Sequence, residues 1–73
     1  MEKIPKQFWE DQNWISEHMS ELQEKYLNKW VAVVDKHVAG FADDPGIARK
    51  IAREKTGKKY IPVEFVESGE ALY

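Results

Sequence analysis

The stretch Trp30-Val-Ala-Val-Val-Asp-Lys-His-Val-Ala-Gly-Phe-Ala42 constrains this chain more than any other. Its first five residues are apolar and mostly β-branched, and a run that short reads as a strand rather than a buried helix. Asp35 and Lys36 separate it from a second apolar run, which is the spacing of a two-residue hairpin. In that register Val34 faces His37, Val33 faces Val38, Ala32 faces Ala39 and Trp30 faces Phe41. Such a turn holds both central residues at positive φ, which glycine or asparagine would supply at less cost than Lys36. Both hairpin faces are apolar: Trp30, Ala32, Val34, Ala39 and Phe41 on one, Val31, Val33 and Val38 on the other. A two-layer protein buries only one sheet face. Either helices cover opposite faces, or the second face meets another chain.

The flanking segments supply the helices. Before the hairpin, Phe8, Ile15, Met19, Leu22 and Tyr26 form one stripe of a 3.6-residue period, and Pro5 suits a first helical position. Asn13 and Ser16 are poor helix-interior residues, so a break is expected near 13–16. After the hairpin, Asp44 is placed to cap a helix that begins at Pro45 and carries Ile47, Ala48, Ile51, Ala52 and Lys55 on one side. Gly57 ends it as a left-handed cap. Residues 60–67 alternate, with Ile61, Val63 and Phe65 on one side and Pro62, Glu64 and Val66 on the other. Pro62 and Glu64 suit an edge strand. Ser68-Gly69-Glu70 reads as a turn within a fraying tail over 68–73. The expectation is one small α+β domain spanning residues 1–73, in the order α-β-β-α-β. Its antiparallel three-stranded sheet would have strand order 2-1-3 and pack with two helices. Trp30, Phe41, Ile51, Val63 and Phe65 are expected in one core.

Composition removes several classes of function. The chain has no cysteine, which excludes disulfides, thiolate zinc sites and a thiol nucleophile. Its longest apolar run is far too short to cross a membrane, and no basic start leads into an apolar leader segment. The formal charge of −2 gives no overall pull toward nucleic acid. The charge is uneven, however: residues 49–59 hold six of the eleven basic side chains and one acid.

Leu22-x3-Tyr26-x3-Trp30-Val-Ala-Val-Val-Asp, then Val38-Ala39-Gly40, then Ile61-Pro62-Val63-x-Phe65-Val66, resembles a small prokaryotic domain family of unknown function. The resemblance spans residues 8–67. It implies a small archaeal or bacterial protein with a small protein partner, and it carries over no catalytic residue. The chain departs from the family pattern at Lys36, where a turn glycine is usual, and at Asn28.

Chemistry-bearing residues do not converge in the sequence. His18 and Glu21 share a helix face but lack a second pair to complete a metal site. Asp43 and Asp44 are explained by helix capping. The serines and Thr56 have no nucleophile elbow and no spaced His/Asp partners. The glycines form no phosphate loop. We therefore expect no catalytic residue, metal or cofactor. The expected protein is a non-enzymatic cytoplasmic interaction module, either a homodimer or a partner of a small protein. Trp9, Trp14, Val31, Val33 and Val38 are the candidate partner-binding residues. The alternative is a small nucleic-acid-binding regulator using Arg49, Lys50, Arg53, Lys58 and Lys59.

Overall fold

The hairpin turn is where the expected structure first meets the observed one. In a computed structural model, which describes residues 3–67, Asp35 and Lys36 both adopt positive φ, at 53° and 62°. Neither is a glycine, so the turn needs outside support. It receives that support from Asp11, whose side chain is 3% exposed. The Asp11 carboxylate accepts the Lys36 backbone N–H at 2.9 Å, the Asp35 backbone N–H at 3.2 Å and the Gln7 side-chain amide at 2.8 Å.

Among the described residues there are three helices and one three-stranded sheet. The helices are α1 (Lys6–Glu17), α2 (Met19–Tyr26) and α3 (Pro45–Thr56). The strands are β1 (Trp30–Val34), β2 (His37–Ala42) and β3 (Val63–Phe65). The sheet order is β2-β1-β3, and both outer strands run antiparallel to β1. This is the α+β architecture and strand order that the sequence implied. The turn read at Ser68-Gly69-Glu70 lies outside the described residues.

The first helical stretch is interrupted, but not at 13–16. Asn13 and Ser16 stay inside α1, and the break falls at His18, with φ −113° and ψ 20°. The His18 N–H still bonds back to Trp14 and Ile15, at 3.0 and 3.3 Å, so α1 closes normally before the chain turns into α2. Pro5 sits one residue earlier than expected, at the N-cap. The second helical signal is reproduced in detail. The Asp44 carboxylate caps the Ile47 N–H at 3.0 Å, Pro45 opens α3, and Gly57 closes it at φ 73°.

The hairpin register holds only near the turn. Val34 pairs with His37 and Val33 with Val38, but a bulge then shifts the ladder. Ala32 pairs with Gly40, Val31 with Phe41 and Trp30 with Ala42. The extra residue, Ala39, leaves both Ala39 and Gly40 on the α3 side. Gly40 explains why this is possible. A Cβ there would lie 2.6 Å from the Ala48 carbonyl oxygen and 2.9 Å from the Ala52 nitrogen, so α3 rests almost directly on the β2 backbone.

Phe41 is thereby turned to the opposite face. It is 50% exposed and packs its ring on Tyr26 at 4.9 Å. Trp30 pairs with Phe65 instead, at 5.3 Å. The expected aromatic core is replaced by two cores of smaller side chains. Ala32, Val34, Ala39, Ala48, Ala52 and Ile61 lie between the sheet and α3. Ile15, Leu22, Val31, Val33 and Val66 lie between the sheet and the α1/α2 pair. Ile51, Val63, Phe65 and Trp30 are half-buried around them. Helices therefore cover both sheet faces. The terminal strand is shorter than the alternating 60–67 segment, because only 63–65 ladder with β1.

Three substitutions probe this packing. Replacing Asp11 by Ala leaves the turn N–H groups without their acceptor and should cost about 2–3 kcal/mol in urea unfolding, whereas Lys36→Gly should gain about 0.5–1 kcal/mol. Gly40→Ala should cost about 2–3 kcal/mol in the same measurement, because helix backbone rather than a flexible side chain opposes the new methyl.

Candidate interaction surface

With helices on both faces, the sheet itself leaves only its edges uncovered. β3 is three residues long, carries Glu64 and is preceded by Pro62, all of which discourage pairing. β2 is twice as long, and its sequence His-Val-Ala-Gly-Phe-Ala contains no lysine, proline or acid. Its outer side pairs with no other strand among the described residues.

Two grooves run along β2. The first, about 310 Å³, is lined by Trp14, Glu21, Leu22, Lys25, Tyr26, His37 and Val38. The second, about 430 Å³, is lined by Tyr26, Val38, Ala39, Gly40, Phe41, Ile51 and Lys55. Tyr26 and Val38 border both grooves, so the two form one continuous furrow beside the strand. One wall is α2, which brings Glu21, Lys25 and Tyr26. The other is α3, which brings Ile51 and Lys55. Ile47, 54% exposed, lies one turn before Ile51 and extends the apolar side of α3.

The candidate partner-binding residues separate on this geometry. Val31 and Val33 are completely buried beneath α1 and α2, so they are core residues and no partner reaches them. The two-apolar-face pattern pointed to them because it did not show where the first helix lies. Val38 is half-buried at the furrow, and Trp14 borders the furrow while stacking on His18 at 4.4 Å. Trp9 is 52% exposed and pairs edge-to-face with Phe8, and it does not line the furrow. Phe41, Tyr26 and Ile51 are among the furrow residues that sequence reasoning does not select. A regular register puts Phe41 in the core, and only the bulge brings it out.

Of the basic residues, Arg49, Lys50 and Arg53 are exposed on α3 and Lys58 follows its cap. Arg53 donates to the Lys59 carbonyl at 3.3 Å, and the Lys59 ammonium lies 5.6 Å from the centre of the Tyr60 ring. Lys58, Lys59 and Tyr60 also border a pocket of about 270 Å³ with Phe8 and Val34, on a different part of the molecule from the furrow. Tyr60 is the aromatic residue beside this basic stretch, and it is half-buried. Single-stranded nucleic acid needs a series of stacking platforms. Among the described residues, no group of three His, Asp or Glu side chains is arranged to hold a metal ion, and no helix is long and apolar enough to cross a membrane.

Residues 21–69 match a family of unknown function, DUF5678. No curated protein and no solved structure matches the chain. The matched span runs from α2 through β3, and so includes the whole sheet, α3 and the furrow lining except Trp14. Asp11 and α1 lie before it.

If the α3 bases are an ordinary solvated face, replacing Arg49, Lys50 and Arg53 together by glutamine should change unfolding free energy by less than about 1 kcal/mol. The unmodified chain should then show no salt-sensitive RNA or DNA binding in a filter assay at physiological ionic strength.

Proposed function

Since the chain belongs to this family of unknown function, its activity has to be read from its own surface, and we propose that it is a non-enzymatic protein-interaction module that self-associates through the outer edge of β2. The observation that carries this reading is the unprotected edge strand, with Phe41 half-exposed beside it. An edge presents unpaired backbone donors and acceptors, and proteins usually defend it with lysine, proline or a short strand. Here those defences sit on β3 and are absent from β2. The apolar furrow adds side-chain contact to backbone pairing, which is how strand addition combines affinity with selectivity.

A second copy is the natural occupant, because the edge is available on every molecule and two-fold pairing makes one surface serve both sides. A cytoplasmic setting accompanies the proposal, and a prokaryotic origin is what the sequence resemblance implies. Nucleic-acid recognition by the α3 bases is the competing reading. It is less favoured because Arg53 is engaged with the Lys59 carbonyl and Tyr60 is half-buried.

Sedimentation equilibrium should give a dimer mass for the unmodified chain at about tens of micromolar, as expected of a modest interface. Phe41→Lys should give a monomer with unchanged far-ultraviolet dichroism. A monomer for the unmodified chain at millimolar concentration would sink the proposal.

A further inference from the structure

The bulge gives β2 an unusual symmetry. Val38 packs toward the α1/α2 core, and Phe41 lies on that same side against Tyr26. Between them, Ala39 packs in the α3 core and Gly40 lies against Ala48 and Ala52 of α3. From residue 38 to residue 41 the order of sides is therefore α2, α3, α3, α2. This order reads the same in both directions. A regular strand of four residues does not have this property, because its sides alternate.

Opposed residues in an antiparallel pair share a sheet face. The mirror-symmetric order therefore suits β2 for antiparallel pairing with itself, about a point between Ala39 and Gly40. Val38 then lies opposite Phe41 of the second copy on the α1/α2 side, and Ala39 opposite Gly40 on the α3 side. A shift by one residue would set Ala39 against Phe41, which lie on opposite sides, and the match would be lost.

Charge at the strand ends agrees with the same register. Lys36 precedes β2 and Asp43 follows it, and both are exposed. Antiparallel pairing about the same centre brings Lys36 of each copy opposite Asp43 of the other. Parallel pairing would set like charges side by side. Asp43 already meets Lys29 at 2.5 Å, but it stays 82% exposed there and open to a second cation.

Building on the self-association proposed above, we infer that two copies join β2 to β2 in antiparallel two-fold register. Val38 is set against Phe41 and Lys36 against Asp43, so the two three-stranded sheets become one six-stranded sheet. The Val38–Phe41 contacts fill the furrow beside Tyr26. The Lys36–Asp43 contacts close its two ends and select the register.

Charge reversal tests the register separately from self-association. Lys36→Asp alone and Asp43→Lys alone each create two like-charge contacts per dimer, and each should weaken dimerisation by about tenfold. An equimolar mixture of the two variants should regain native affinity, because both contacts in the mixed dimer are again opposite in sign. Intermolecular nuclear Overhauser effects from Val38 methyls to the Phe41 ring, in a half-labelled native sample, should report the same register. A native dimer that Phe41→Lys dissociates, but that neither reversal nor mixing affects, would overturn this register and leave edge-mediated self-association standing. A native chain that stays monomeric would overturn both.

Discussion

The buried carboxylate of Asp11 is the interaction on which the arrangement of the elements depends. It stands on α1, in the apolar stripe between Phe8 and Ile15, and it accepts N–H groups from the two residues of the hairpin turn. A carboxylate removed from water is costly unless its oxygens are occupied. Here each oxygen has a backbone donor, and one also receives the Gln7 amide. Asp35 and Lys36 hold a backbone conformation that costs about 1–2 kcal/mol per residue without glycine, and these bonds offset that cost. The same contact places α1 across the Val31/Val33 side of the sheet, so turn shape and helix position are set together.

The other sheet face is closed by a different device. α3 presents Ala48 and Ala52 to Ala32, Ala39 and Gly40, and side chains this small let helix and strand backbones approach closely. A short chain cannot bury much area. Small residues cover both sheet faces, and several large apolar side chains, Trp9, Phe41 and Ile47 among them, stay at least half-exposed. The larger aromatics are displaced to the rim, where Trp30 meets Phe65 and Tyr26 meets Phe41.

That displacement bears on function. A sheet sandwiched between helices offers partners its edges, and of the two edges here only β2 is long and undefended. The bulge that lets α3 settle against Gly40 also turns Phe41 outward and makes the sides of 38–41 symmetric. The packing that stabilises one copy thus shapes the strip that would receive a second. The family match covers this sheet and α3 but begins after Asp11, so the clamp on the turn lies in a part of the chain that the match does not reach.

Much of the fold was legible in local sequence. The two-residue turn, the Asp44-Pro45 start, the Gly57 stop and the 2-1-3 strand order depend on neighbours close in the chain or on simple chain connectivity, and each appears in the structure. The gap of seven between Phe8 and Ile15 was also visible, and it marks the place where a polar residue enters the stripe. The bulge was not legible, because it arises from the contact of Gly40 with a helix that follows it in sequence. Nor was the burial of Val31 and Val33 under α1, which depends on a carboxylate twenty-four residues before the turn it holds. Spacing along the chain determined which elements form. Which side chains stayed at the surface was decided only when helix backbone met strand backbone, because close packing shifted the register of β2 and carried Phe41 from the core to the surface.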